Sequence, residues 1–420
     1  MSSVNEPLAP RPCTILCADW GKESAKRAVY LADVDRRVVR RVPGKGWSLA
    51  RLLEEAQLFT SMGSVLVTVD APLGVPESYL AALNRVRWGQ PLRTFLDLLA
   101  STRSMPRFFD GSSVPEDWRL DRPFFAVPRA GDGGLSAYVD AAASRGVTIR
   151  RSIDVQTAAK SVFIKSGIRG SVGSAACALW QELAPLLRRD RTFTVWPFEG
   201  DLQMLLRTSS VVVGEIYPRA AYATALFPTS PISRSRLSIA KTDACVRRQA
   251  ITSLREASWI HSLGVKLENL AEAEAGEDDF DACLTAAALV RCVLEGSPLE
   301  HADDSAARAE GGMLGTGSIN LDLAERKFGN HVAREQRAPD GPSRSGVSRT
   351  RSLTKMSSTT DPLRTYSCPI AGCDKVYRGS RGGWDAHVGS LRIHPRWHPE
   401  LQSEEDRKQI YRTEFPDFFR

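Results

Sequence analysis

Long apolar runs are missing from this 420-residue chain, and no stretch approaches the roughly 20 residues that a membrane span requires. The opening residues, MSSVNEPLAPRPC, hold no apolar core of the kind a secretory leader carries. Cysteine is sparse: 8 in 420 residues, without a leader, read as reduced thiols rather than disulfides. Together these absences lead to the expectation of a cytoplasmic protein with no membrane partner. A strong charge imbalance is missing too. The formal net charge is +7, and the 90 residues from His331 to Arg420 hold 16 Lys/Arg against 11 Asp/Glu. A polyanionic partner and a basic linker both account for that excess.

What the chain does have is ordinary bulk. Its 42% apolar and 25% charged residues are usual for a globular protein, and its length suits about two or three domains. The central stretch is Gly63 to Pro76, GSVLVTVDAPLGVP. Val65 to Val69 form a nearly continuous aliphatic run, the pattern of a strand covered on both faces. The run ends on Asp70, and Ala-Pro-Leu-Gly cannot continue it. An acid at the carboxyl end of a buried strand is costly unless a cation meets it, and ligands of open α/β sheets collect beyond such ends. A strand-ending Asp that merely caps the next turn is the plainer reading.

Three other segments also deliver acids. Thr14-Ile-Leu-Cys-Ala-Asp19 is a short apolar run ending on one. Arg27 to Asp33 and Arg37 to Val42 read as two more strands, giving an antiparallel meander of three. Ser48 is placed to cap a helix whose apolar face is Leu49, Leu52, Leu53, Ala56 and Phe59. The order so far is β-β-β-α-β. From about Glu77 to Ser210 the regular rhythm stops, and turns and aromatics dominate. There Arg150, Arg151 and Asp154 fit a substrate clamp or a solvated face equally. Gly167-Ile-Arg-Gly-Ser-Val-Gly173 fits a backbone phosphate cradle or a plain turn, and it lacks the Lys-Ser/Thr ending of a P-loop. Val211 to Val213 resume the strand pattern, with Glu215 as a third acid. From Glu277 a helix is expected, with Phe280, Cys283, Leu284, Ala287, Val290 and Leu294 as its buried stripe. Asp278 and Asp281 project from one side of its first turn, where the helix dipole alone also favours acids.

This order, with the motifs VTVDAPLGVP, VWPFEGD, GEIYP, Lys241…Arg247-Arg248 and DDFDACLTAAALV, resembles the RNase H-like nuclease fold. In particular it is similar to domain-of-unknown-function family 429, a predicted nuclease family, over about residues 12–322. The helix with paired acids is similar to that of RuvC-type Holliday-junction resolvases. The resemblance implies a metal-dependent nuclease in which Asp19, Asp70, Asp278 and Asp281 ligate Mg²⁺ or Mn²⁺, with Glu215 a further catalytic acid. Phosphodiester hydrolysis needs an activated water and neutralised phosphate charge, work that two such ions about 3.5–4 Å apart perform. Hard cations take oxygen ligands, which is why the site needs carboxylates. The alternative is an RNase H-like domain that binds nucleic acid or protein without cutting. An actin-like kinase would need a glycine hairpin after the first strand, and Asp19-Trp-Gly-Lys supplies little of one.

Beyond residue 325 the composition changes. APDGPSRSGVSRTRSLTKMSSTTD, from Ala338 to Asp361, has too few large apolar groups to fold and reads as a flexible basic linker. Next, Cys368-x4-Cys373 is followed after 13 residues by His387 and after 6 more by His394. Thiolates with imidazoles suit tetrahedral Zn²⁺, and so short a segment needs the ion to fold. The pattern resembles a C2H2 zinc finger. Its wide His–His gap leaves His398 as an alternative fourth ligand to His394. Such a finger could read nucleic acid or dock protein. The expected organisation is an α/β RNase H-like domain at 12–325, a linker at 326–362, a finger at 363–400 and a polar helical tail at 401–420.

Overall fold

The computed structural model describes residues 10–86, 90–128, 133–168, 171–189, 191–227, 233–300 and 307–329, plus the backbone of 365–367 and 376–378. The chain divides into two units, Met1–Asp340 and Gly341–Arg420. The first begins with strands β1 (Thr14–Ala18), β2 (Val29–Asp33) and β3 (Val38–Arg41), helix α1 (Leu49–Gln57) and strand β4 (Val65–Val69). An insertion follows: α2 (Glu77–Val86), α3 (Phe95–Ser101), β5 (Gly111–Ser112), β6 (Phe124–Ala126), α4 (Gly133–Ala143), α5 (Ser152–Gln156), β7 (Ile164–Ser166), α6 (Gly173–Leu186), β8 (Thr194–Val195) and α7 (Leu202–Thr208). The chain then returns with β9 (Val211–Glu215), α8 (Pro218–Leu226), β10 (Leu237–Ser238), α9 (Ala244–Arg255), α10 (Ser258–Ser262) and β11 (Lys266–Glu268). Helices α11 (Ala271–Ala275), α12 (Glu277–Glu295) and α13 (Ala307–Glu310) and strand β12 (Arg326–Lys327) complete the unit.

One mixed seven-stranded sheet carries the architecture, in the order β11-β3-β2-β1-β4-β9-β8. β1, β2 and β3 form the antiparallel meander, with Thr14 opposite Asp33 and Tyr30 opposite Arg41. β4 joins β1 in parallel, Ala18 opposite Val69, and β9 joins β4 in parallel, Val69 opposite Glu215. Every residue of β1, β4 and β9 is buried, as continuous aliphatic strands require when both faces are covered. Alternation divides them between two cores. Ile15, Cys17, Leu66 and Val212 pack with α8 and α12, whereas Leu16, Ala18, Val67 and Val213 pack with α1 and the insertion.

α12 is the central helix. Its Phe280 to Cys292 are buried around the whole circumference, and it ends on Gly296 in the left-handed conformation at φ 69°. Ser48 caps α1 by accepting from the Arg51 amide at 3.2 Å. The expected linker start at 326 falls too early. β12 pairs in parallel with β10, and the Phe328 amide bonds the Ser238 carbonyl at 2.9 Å, so folded chain runs past residue 325.

In the second unit, β13 (Thr365–Ser367) and β14 (Val376–Arg378) form an antiparallel hairpin, with Tyr366 opposite Tyr377. Cys368, Cys373, His387, His394, His398 and the tail lie outside the described residues. Among the described residues no helix is long and apolar enough to cross a membrane.

Candidate metal centre

Parallel pairing of β1 and β4 decides where the first two acids go. Ala18 faces Val69, so Asp19 and Asp70 emerge side by side at the carboxyl edge, the Asp70 amide bonding the Ala18 carbonyl at 2.9 Å. The third acid arrives from α12, whose first turns cross this edge and supply Asp281. Carboxylate oxygens of Asp19, Asp70 and Asp281 lie within 4.8 Å of one another. Asp19 and Asp70 are partly exposed, and Asp281 is buried.

Burial is the largest influence on all three acids and raises the pKa of each. Repulsion adds to it, from Asp281 and Asp70 on Asp19 and from Asp281 on Asp70. Asp19 is held well above the usual carboxylate range, and Asp70 is pushed up to about 7. Asp281 is raised less freely, because Lys241 and Tyr222 favour its charged form. Tyr222 donates its hydroxyl to Asp281 Oδ1, and Lys241 donates Nζ to Asp281 Oδ2. Burial opposes the Lys241 ammonium, but Asp281, Asp19 and Asp70 outweigh it and raise its pKa. Asp278 is half-buried and interacts with Asp19. Its neighbour Asp279 instead bonds Arg41 at 2.5 Å and 3.4 Å, fastening α12 to β3.

Glu215, the remaining predicted acid, has a different task. It ends β9, but both its oxygens accept from Arg151, at 2.7 and 2.8 Å, and one also accepts from the Leu73 amide at 2.7 Å. Arg151 also bonds Asp154 and is fully buried, so it is neither a solvated face nor an exposed clamp. This ion network ties the insertion to the loop after Asp70. Glu310 reinforces the tie by accepting from the Glu77 amide at 2.9 Å and the Ser152 amide and hydroxyl at 2.6 Å. In the glycine-rich loop a Cβ on Gly167 would stand 2.0 Å from the Val127 carbonyl oxygen, so close backbone approach accounts for that glycine.

No family model, curated protein or solved structure matches this chain.

The three-acid group fits a hard divalent ion. Mg²⁺ or Mn²⁺ at about 2.1 Å from its donors spans about 3 to 4 Å between them, which these oxygens approach with small movements. The donor set is all oxygen, as such ions prefer. Sequence reasoning did not assign roles to Lys241, Tyr222 and Arg247. Arg247 bonds the Lys241 carbonyl at 2.5 Å and the Glu274 and Ala275 carbonyls at 3.2 and 2.7 Å, joining the Lys241 loop to the approach of α12. The requirement for a cation was legible from buried strand-end acids. The Lys241…Arg247-Arg248 motif marked that segment, but no local rule marked Lys241, 171 residues after Asp70, as the cation that meets the acids.

Proposed function

We propose that this chain is a divalent-metal-dependent nuclease with an RNase H-like domain of the family 429 type. The observation that carries this reading is the convergence of Asp19, Asp70 and Asp281 from two neighbouring parallel strands and one helix. The sheet supports it, since a three-stranded antiparallel meander joined through β1 to parallel β4 and β9 is what an RNase H-like domain would require. When bound, Mg²⁺ or Mn²⁺ supplies neutralisation of phosphate charge and activation of water. Asp19, Asp70 and Asp281 would hold it, with Asp278 beside them. Tyr222 and Lys241 fix the Asp281 carboxylate, and Arg247 positions the Lys241 loop. The Arg151–Glu215 pair and Glu310 hold the Asp70 loop against the insertion.

A C-terminal C2H2-type finger, through Cys368, Cys373, His387 and His394 or His398, would deliver the domain to nucleic acid. The β13–β14 hairpin supports this, since the segment joining its strands contains Cys368 and Cys373. The test is incubation of the purified protein with labelled DNA and RNA panels and Mn²⁺, with EDTA controls. Wild type cleaves, and Asp70→Asn loses about 10²-fold or more, the scale of losing one electrostatic stabiliser. Binding without cleavage by any metal, equal in wild type and Asp70→Asn, selects the non-catalytic binding module. No contact with nucleic acid overturns both readings.

A further inference from the structure

The carboxylate group contains its own cation. Lys241 reaches Asp281 Oδ2 from a segment just before α9, and Asp19 and Asp70 act on the same ammonium. Its side chain is 36% exposed while that of Asp281 is 1% exposed. Lys241 is therefore the more exposed partner of the pair, and Asp281 is the buried one.

This placement bears on how many ions the centre takes. A two-ion site needs a carboxylate shared between ions about 3.5–4 Å apart. Asp281 cannot serve as that shared ligand on both oxygens, because Tyr222 and Lys241 already donate to them. A second dication on that side would lie beside an ammonium of the same sign, at a range where charges repel strongly. Charge counting agrees. Asp19, Asp70, Asp278 and Asp281 against Lys241 leave a formal −3 when all are ionised, which one dication reduces to −1 and two would turn to +1.

We propose that Lys241 takes the place of a second metal ion. The centre then holds one divalent cation on Asp19, Asp70 and the remaining lone pairs of Asp281, and the Lys241 ammonium neutralises the phosphate on the other side. This rests on the metal-dependent reading above.

The experiment is Mn²⁺ titration of the full-length protein, loaded with Zn²⁺, following the free-ion signal by electron paramagnetic resonance. Wild type binds one Mn²⁺ that Asp70→Asn loses. Lys241→Met binds two, the first about tenfold more tightly because a like charge is gone. Lys241→Arg keeps the charge and binds one. Circular dichroism checks that each variant folds, and the wild-type stoichiometry decides the question even if Lys241→Met does not. Two Mn²⁺ lost together from wild type on Asp70→Asn substitution overturns the inference while leaving the metal centre standing. A folded Lys241→Met that binds one ion with unchanged affinity also overturns it. Wild type that binds no Mn²⁺ sensitive to Asp70→Asn overturns the metal reading itself, and the inference falls with it.

Discussion

Replacing Asp70 by Asn should stabilise the metal-free protein and abolish the Mn²⁺ stabilisation that the metal-dependent reading predicts. The carboxyl of Asp70 is pushed from an ordinary 3.8 up to about 7, by burial first and then by Asp281. A tenfold change in proton affinity corresponds to about 1.4 kcal/mol, so keeping this group ionised in the fold costs at most roughly 4 kcal/mol. Asp70 is partly exposed, and solvent screening reduces the usable figure to about 2 kcal/mol. The direction follows from proton counting. Between pH 3.8 and about 7 the native state keeps a proton that the unfolded chain has released, so stability falls as pH rises through that window. Asn carries no charge to repel. Its advantage is therefore complete above about pH 7 and gone below about pH 4. At pH 8 in EDTA, about 2 kcal/mol should raise the melting temperature of Asp70→Asn by roughly 3 °C over wild type, the shift expected for a folded unit of this size. Scanning calorimetry from pH 4 to pH 8 measures this. Saturating Mn²⁺ should then stabilise wild type by about 2.7 kcal/mol at a hundred times its dissociation constant and leave the variant unmoved. A variant that melts below wild type at pH 8 in EDTA, or whose gain ignores pH, would refute the repulsion argument.

Three further outcomes are expected. Arg151→Met strands the buried Glu215 and Asp154 carboxylates and should cost about 3–5 kcal/mol in urea denaturation, whereas Glu215→Gln should leave Mn²⁺ affinity intact; a loss there would return Glu215 to the metal centre. Gly311→Ala places a Cβ 2.0 Å from the Leu73 carbonyl oxygen at φ 94°, and a destabilisation of 2 kcal/mol or more is expected, a neutral melt being the contrary result. The full chain should carry one Zn²⁺ by elemental analysis, lost in Cys368→Ser or Cys373→Ser, and comparison of His394→Ala with His398→Ala identifies the fourth ligand; zinc retained by both cysteine variants would remove the finger.

The elements that frame the site were legible because their residues answer to one strong local rule each. Aliphatic runs marked β1, β4 and β9, and Ser48 with its apolar stripe marked α1. The helix of α12 announced itself through the spacing of Phe280, Cys283, Leu284 and Ala287. The insertion was not legible. Its strands β5 to β7 are two or three residues long, and its largest helix, α6, holds a proline at 185 and is too evenly apolar to show a clear stripe. β11 escaped for the same reason, three residues pairing at a sheet edge. At the site, Asp19 and Asp70 were marked by strand ends, and Glu215 carried the same mark. What separates them is Arg151, a partner 64 residues away that no local pattern connects to β9.

Asp281 follows Asp70 by 211 residues, and the central helix that bears it is among the last elements of its unit to be made. A ribosome extending the chain at about 5–20 residues per second leaves Asp19 and Asp70 without their third carboxylate for roughly 10 to 40 seconds. Lys241 is equally absent for most of that interval. A nascent or prematurely terminated chain therefore has no complete acid cluster and no central helix on which to fold. Under the nuclease reading, a half-made copy cannot cut nucleic acid.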